Sequence, residues 1–405
     1  MQPDRKTTRT AVAIFVLQTA GSGVAVYGIP IYIAAFLRSG TVAPAELSLA
    51  STAFFLVGAL SGPAFSAVGQ RRPNAVMSGA VLGGAAALTA MAVHPSGPVV
   101  VGSFAVLGAI FNGGLVVVGT TVLVRVFDGR PTSGMALATS GSSAGGILVS
   151  PLLALLLTAQ AATGRSFLVV ATGFLVISGL ALLLGRRAAA SPGVAGTPAV
   201  PATAAGRLSA HWPLVLAFSL VSASQLGATS YIVATALSRN FTGASLAVSV
   251  ATATAVGSRW LGSAGIRRLG LSRWTMTSFS AQAAGVALVG LAPAGWVLFL
   301  GAALIGQSLG NTILIRSQVV VDLFGIDGFA GKFARFQTWT SLGSAAGPLV
   351  LGQLFALSHD YLLAYLALFV LNVVAVPFLR PWMRQLRAQH ERKADEPQRT
   401  DSPAL

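Results

Sequence analysis

The sequence predicts an all-α membrane protein with twelve transmembrane helices. Of its 405 residues, 54% are hydrophobic and 9% are charged, whereas soluble domains carry about 25% charged residues. Apolar runs recur along almost the whole chain. Each is about 20 residues long, which is enough to cross a hydrocarbon core roughly 30 Å thick. This composition excludes a soluble globular protein.

Hydropathy and helix breakers divide the apolar sequence into spans. The first follows Arg5, Lys6 and Arg9 and continues to Leu37. This run is too long for the apolar region of a signal peptide, so we expect a retained first helix. The predicted spans are 10–37, 46–68, 74–93, 97–124, 133–158, 166–185, 212–237, 244–264, 274–292, 295–321, 333–357 and 361–380.

The positions of Lys and Arg predict the orientation of the chain. On the side that carries both termini lie 21 of the 26 cations, and the opposite side has three, Arg38, Arg165 and Arg239. Positive residues are retained on the cytoplasmic side. We therefore expect a multi-pass protein of the cytoplasmic (inner) membrane with both termini in the cytoplasm. Topology and anionic lipid explain the net charge of +16, so no nucleic-acid partner is expected.

The chain divides near its middle. An uncharged sequence rich in Ala, Pro and Gly, residues 190–206, separates the sixth span from the seventh. We expect a six-helix half at 1–186, a cytoplasmic linker at 187–211, a second six-helix half at 212–384 and a disordered cytoplasmic tail at 385–405.

The two halves carry matching residues at a nearly constant offset. Gly58 and Gly257 are 199 residues apart, as are Tyr32 and Tyr231. SGSSAGG at 140–146 matches LGSAAGP at 342–348, where Gly145 and Gly347 differ by 202. An offset kept across several spans predicts an internal duplication of six helices.

Two six-helix halves joined by a linker resemble the major facilitator superfamily of secondary transporters. After its second span that family has a glycine, an Asp-Arg pair and then basic residues. In GPAFSAVGQRR at 62–72 the glycines and the final arginines are present, but Ser66 and Ala67 stand at the Asp-Arg positions. Within the superfamily, residues 124–153 are similar to the monocarboxylate and oxalate–formate transporters. That resemblance implies transport of small organic anions.

Two arginines lie within predicted spans and have no acidic residue nearby. Arg259 is eight residues before Arg267, and Arg316 is six before Asp322. Placing either in the membrane costs on the order of 3 kcal/mol, which a carboxylate substrate held by the guanidinium would offset. Resemblance to the organic-anion transporters implies that Arg259 contacts substrate, with Arg316 in place of their second cation. Alternatively, both reach water or bond helix carbonyls.

Other polar and aromatic residues of the spans are candidates for a central cavity, because the resemblance implies one between the halves. For each, an interhelical hydrogen bond is the alternative role. The predicted substrate-binding set is Arg259, Arg316, Tyr32, Asn112, Gln225, Tyr231, Gln307, Asn311 and Trp339, with Gln18 and Tyr27 as further candidates.

The predicted function is secondary transport of small, monocarboxylate-like organic anions by alternating access. Anion exchange and co-transport of a proton with the substrate both remain open. The alternative is an efflux transporter for neutral or hydrophobic compounds. The chain has no cysteine, four scattered histidines and no phosphate-binding loop. We therefore expect no cofactor, no metal and no enzymatic activity, and we expect a monomer.

Overall fold

In a computed structural model, the chain is described over residues 5–126, 133–157, 164–186, 211–324 and 329–395. Its regular elements there are all helical. They are α1 (Arg5–Ala25), α2 (Ile29–Ser39), α3 (Pro44–Arg71), α4 (Pro73–Val93), α5 (Gly97–Ala109), a π-helical segment (Ile110–Val117), α6 (Val118–Val126), α7 (Ser133–Leu157), α8 (Gly164–Arg186), α9 (Trp212–Ser238), α10 (Leu246–Leu269), α11 (Leu271–Leu291), α12 (Gly295–Phe324), α13 (Phe329–Ser358) and α14 (Tyr361–Asp395).

These helices correspond to the predicted spans. α1 and α2 together form the first span, α5 to α6 form the fourth, and each other helix forms one span. Ten spans are long and apolar enough to cross a membrane by length and composition. The other two, α10 and α11, are 24 and 21 residues long but more polar. Both pack along α12 inside the bundle. The all-α membrane fold is therefore confirmed.

The first span is interrupted between α1 and α2. Pro30 lies in the first turn of α2 and has no N–H to donate to the preceding turn, which favours a break in the helix at this point. The Tyr32 hydroxyl donates to the carbonyl of Val24 at 2.8 Å. At Gly28 a β-carbon would meet the Tyr32 ring closer than 3.0 Å. The break thus places Tyr27 on one side of the span. The Tyr32 hydroxyl provides a hydrogen bond to a backbone carbonyl next to the break.

The predicted duplication is visible in how the helices cross. α1 packs along α7 in the first half, and α9 packs along α13 in the second. A β-carbon at Gly145 would contact the backbone of α1, and one at Gly347 would contact the backbone of α9, both closer than 3.0 Å. Small residues allow this close approach of membrane helices. The match of Gly145 with Gly347 therefore marks two equivalent crossings.

The other glycine pair matched in the sequence, Gly58 and Gly257, does not occupy equivalent packing positions. Gly58 of α3 faces the Asn112 amide, whereas a β-carbon at Gly257 would meet nothing within 4 Å. Gly262 of α10 is the residue that faces an amide, that of Asn311 on α12. In packing, Gly262 rather than Gly257 is thus the counterpart of Gly58, five residues further along α10 than the constant offset predicts.

The two halves meet near the turns that join α2 to α3 and α9 to α10, which we call the distal face. The Gln353 amide of α13 donates to the Ser48 hydroxyl of α3 at 2.9 Å and to the Ala45 carbonyl at 3.3 Å. The Ser249 hydroxyl of α10 donates to the Gly146 carbonyl of α7 at 3.3 Å. α2 also packs against α9. These contacts hold the halves together at this face.

The C-terminal tail differs from the sequence prediction. The tail was expected to be disordered from residue 385, but α14 continues to Asp395. The sequence QLRAQHERKAD has no Gly or Pro and consists mainly of good helix formers, so nothing ends the helix before it. The predicted linker at 187–211 falls outside the described residues except for His211.

Candidate functional site

A cavity of about 220 Å³ lies between the two halves, near the middle of the helices. Both halves contribute to its wall, and the break in the first span and the π-helical segment open onto it. It is lined by Ser22, Val26, Tyr27, Pro30, Phe55, Phe111, Ser142, Ser143, Leu226, Thr229, Ser230, Ile232, Val248, Ala251, Thr252, Ala255, Arg259 and Leu309. Arg259 is the only charged residue among the described residues of this lining.

The remainder of the cavity wall consists of hydroxyl groups and apolar side chains. Several of the hydroxyls donate within their own helix: Ser22 to Thr19, Thr229 to Gln225 and Thr252 to Val248. Their oxygen lone pairs therefore remain available to a ligand. Phe55 and Phe111 supply flat apolar surface on the side of the first half. The wall suits a small ligand with an apolar body and one charged or polar end.

Arg259 reaches the cavity because it lies on the face of α10 that points there. Thr252 and Ala255 precede it by seven and four residues and line the same wall, as the helical repeat requires. Arg259 is exposed, and within the described part of the chain its guanidinium has no hydrogen-bond acceptor or carboxylate partner. The Tyr27 hydroxyl lies beside Thr252 and close enough to Arg259 to interact with it electrostatically. The site therefore presents an uncompensated positive charge to a ligand.

Arg316 is outside the cavity lining. It is 6% exposed and lies in an apolar cluster of the second half, with its guanidinium 6.0 Å from the centre of the Phe218 ring. It donates to the Gln337 side-chain oxygen at 3.1 Å and to the Ser222 hydroxyl. In this conformation Arg316 joins α12 to α9 and α13. Two of its guanidinium nitrogens are hydrogen-bonded to protein side chains.

Gln225 is also buried away from the cavity, within a chain of amides. Its amide donates to the Gln282 oxygen at 2.9 Å, and Gln282 donates to Asn372 at 2.9 Å. Asn372 in turn donates to the Ser224 hydroxyl. This network ties α9 to α11 and α14, which is the interhelical role that the sequence left as the alternative.

The other predicted residues likewise lie outside the lining. Tyr32 and Tyr231 are fully buried, and Tyr32 packs between Phe104 and Phe167. Asn112 and Asn311 face glycines of neighbouring helices, and Asn311 donates to the Gln307 backbone oxygen at 3.1 Å. Trp339 is exposed on α13, and Gln18 is buried. Of the predicted set, Arg259 lines the cavity, and so does Tyr27, one of the two further candidates.

Sequence reasoning missed the hydroxyl residues of the wall, namely Ser22, Ser142, Ser143, Thr229, Ser230 and Thr252. Serine and threonine are common throughout the spans, where most bond their own helix, so residue type alone does not distinguish the wall. One usable signal was present. Thr252 stands two helical turns before Arg259, on the same face.

Two six-helix halves around a central cavity are an architecture found in multi-pass membrane transporters. A sequence profile described as Major Facilitator Superfamily matches residues 11–330. The chain belongs to the major facilitator superfamily. A search of curated proteins finds no match to this chain.

Several solved transporter structures share this fold. One is a bacterial homolog of the human lysosomal transporter Spinster, in an inward-facing and unoccupied conformation, with 14% identity over 93% of this chain and 96% of that chain and a TM-score of 0.70. Another is the nucleoside transporter NupG, with 13% identity over 93% and 98% and a TM-score of 0.74. A third is a POT family transporter in complex with a thioalcohol-conjugated peptide, with 11% identity over 92% and 96% and a TM-score of 0.70. At these identities the likeness shows the fold alone.

Proposed function

We propose that this protein is a secondary transporter of small organic anions, with monocarboxylates as the substrate class, working by alternating access. The observation that carries this proposal is Arg259, a cation on the cavity wall without an acidic partner among the described residues. A carboxylate substrate would supply the missing negative charge and would match the two-pronged guanidinium.

The size and the chemistry of the cavity support a small substrate. Its volume of about 220 Å³ is below the roughly 300–1,000 Å³ typical of pockets for drug-sized ligands. Hydroxyls from both halves can accept or donate hydrogen bonds to a second polar group of the substrate. A short aliphatic or hydroxylated monocarboxylate meets these constraints better than a bulky drug.

The absence of acidic groups from the wall bears on energy coupling. Among the described residues, none that lines the cavity is Asp, Glu or His. A proton relay within a membrane generally uses such residues. We therefore propose that the substrate either exchanges for another anion or carries its own proton, as a protonated acid or a proton–anion pair.

The test is uptake into proteoliposomes of a panel of radiolabelled monocarboxylates and dicarboxylates. We expect Arg259→Ala to lose at least tenfold in uptake while insertion into the membrane stays intact, and Arg259→Lys to recover part of it. Arg273→Ala is the matched control, because Arg273 is an exposed arginine outside the cavity lining. Undiminished anion uptake by Arg259→Ala would refute the assignment.

A second candidate is efflux of neutral or hydrophobic compounds. The hydroxyl and apolar character of the wall apart from Arg259 favours it. This function predicts that the same vesicles move neutral compounds and that Arg259→Ala does not affect the rate. Measuring both substrate classes with both proteins in one preparation distinguishes the two functions.

For the cellular context we propose a monomer in the cytoplasmic membrane, with both termini in the cytoplasm. The excess of Lys and Arg on the terminal side supports this orientation. Protease access to terminal tags in sealed right-side-out vesicles tests it, because tags in the cytoplasm remain protected. Light scattering of the purified protein tests the oligomeric state.

A further inference from the structure

Tyr32 and Tyr231 are matched by the internal duplication, 199 residues apart, but their hydroxyl groups differ in their bonding. Both side chains are fully buried. The Tyr32 hydroxyl donates to the carbonyl of Val24 at 2.8 Å. Within the described ranges of the chain, the Tyr231 hydroxyl has no hydrogen-bond partner. Neither the superfamily assignment nor the proposed role of Arg259 accounts for this unpaired group.

The difference follows from the break in the first span. There the helix is interrupted at Pro30, and a backbone carbonyl beside the break accepts from the tyrosine hydroxyl. The position equivalent to Pro30 in the second half is Thr229, which keeps its N–H, and α9 runs on through it. The carbonyl eight residues before Tyr231 therefore lies in a continuous helix, where it bonds the N–H four residues further on. The second tyrosine thus lacks the acceptor that its counterpart has.

The Tyr231 hydroxyl lies at the seam between the two halves, close to the distal face. Gly352 of α13 is beside it, and Ser48 of α3 is across the seam. A β-carbon at Gly352 would approach both the Tyr231 hydroxyl and the Ser48 β-carbon closer than 3.0 Å, so this side of the hydroxyl has no room for a bonding partner. The amide of the next residue, Gln353, donates to the Ser48 hydroxyl at 2.9 Å.

The seam combines one contact that favours closure at the distal face with one that opposes it. The hydrogen bond from Gln353 to Ser48 joins the halves only while they are closed. The Tyr231 hydroxyl is buried without a protein partner in that same state, and burying an unpaired donor is unfavourable. Separation of α3 from α13 would expose the hydroxyl to water, which can bond it.

We propose that Tyr231 sets the conformational balance of the distal face: its unpaired hydroxyl weakens the closed seam, so that the seam can open. This inference rests on the alternating access proposed above, but not on Arg259 or on the identity of the substrate. Gly352 has the opposite role. It must lack a side chain for the seam to close, whereas the Tyr231 hydroxyl limits how stable the closed seam is.

The test measures opening of the distal face directly. The chain has no cysteine, so Thr41→Cys and Thr242→Cys introduce a single pair of spin labels, at exposed positions in the distal turns of the two halves. Pulsed EPR of the full-length protein in detergent gives the ratio of open to closed distances. Each variant is measured in the otherwise native chain and together with Gln353→Ala, which removes the bond to Ser48 and raises the open fraction.

We expect Tyr231→Phe to lower the open-to-closed ratio at least fivefold, because phenylalanine fills the same space without the unpaired hydroxyl. Gly352→Ala should raise the ratio severalfold, since its methyl group prevents the seam from closing. Tyr365→Phe is the matched control. The Tyr365 hydroxyl donates to the Ala228 carbonyl at 3.0 Å within the second half, so its removal should lower stability and leave the ratio unchanged.

Three results would overturn the proposal. They are an unchanged or higher open fraction in folded Tyr231→Phe, a shift toward opening in both Tyr231→Phe and Gly352→Ala, and a shift of equal size and direction in Tyr365→Phe. Gel filtration of every variant establishes folding, and Gln353→Ala populates the open state where Gly352→Ala does not fold.

Uptake by Arg259→Ala is measured separately, so the two proposals can fail independently. An unchanged distance ratio in Tyr231→Phe with an intact Arg259 effect on uptake would remove the role of Tyr231 and leave the proposed substrate class standing. Distances that respond as expected, together with undiminished anion uptake by Arg259→Ala, would refute the substrate assignment and leave the role of Tyr231 standing.

Discussion

The side-chain amide of Gln353 donates a hydrogen bond of 2.9 Å to the hydroxyl of Ser48, joining the second half of the protein to the first. The two residues lie 305 positions apart in sequence. The same amide also reaches the Ala45 carbonyl. The proposed alternating access requires this distal contact to open, so its strength would bear on the balance between the two states.

Replacing Gln353 by Ala should shift that balance toward opening at the distal face. A net hydrogen bond contributes about 1 kcal/mol, so the population of the open state should rise several-fold. Spin labels at Thr41→Cys and Thr242→Cys, exposed positions in the distal turns of the two halves, report the separation by pulsed EPR. Ser358→Ala is the control, because among the described residues its hydroxyl bonds to Leu354 and Asp360, both in the same half. An unchanged distance distribution in Gln353→Ala would contradict this role.

The glycines at the helix crossings should be sensitive to a single added methyl group. Gly145→Ala and Gly347→Ala place a β-carbon against the backbone of the partner helix. Overpacking of this kind costs about 1–3 kcal/mol. Both variants should lower the melting temperature in detergent, and by similar amounts, because the crossings are equivalent. Gly257→Ala is the control: open space surrounds it, so alanine should be neutral or stabilising. A similar loss in all three would refute the crossing argument.

The two membrane arginines should differ in their effect on stability. Arg316→Ala leaves the Gln337 oxygen and the Ser222 hydroxyl without a partner, at a cost of about 1–3 kcal/mol for each buried group. Arg259→Ala removes an exposed side chain with no hydrogen-bond partner among the described residues, so stability should be unchanged or higher. Thermal unfolding followed by intrinsic fluorescence tests both. Equal destabilisation by the two variants would mean that Arg259 is also a structural residue.

The aromatic wall should set the size limit of the substrate. Phe55→Ala removes a phenyl ring from the cavity lining and should raise uptake of larger carboxylates relative to acetate. Competition by a series of acids of increasing length against labelled acetate measures the change. Phe355→Ala, which alters a separate cavity at the distal face but not the central cavity, should leave the size preference as it is. A parallel shift in both variants would place the selectivity elsewhere on the path.

The extent to which the sequence predicts the site differs from residue to residue. Arg259 was recognisable because a charge inside an apolar span is costly and few such charges exist. Arg316 satisfied the same criterion equally well, yet it is buried against Ser222 and Gln337. Those partners are 94 and 21 residues away in the chain, so their proximity follows from helix packing and leaves no local pattern.

By itself, the sequence determined the fold. The length and apolarity of the runs define the spans, because a helix needs about 20 apolar residues to cross the hydrocarbon core, and the constant offset between the halves follows from duplication. Only the tertiary structure decided which side of each helix meets the cavity. Gln225 and Tyr231 turn toward neighbouring helices, while Ser22, Thr229 and Thr252 turn inward. The physical reason is that hydropathy fixes a helix along its axis, whereas its rotation is set by the close glycine crossings and by the polar partners on other helices.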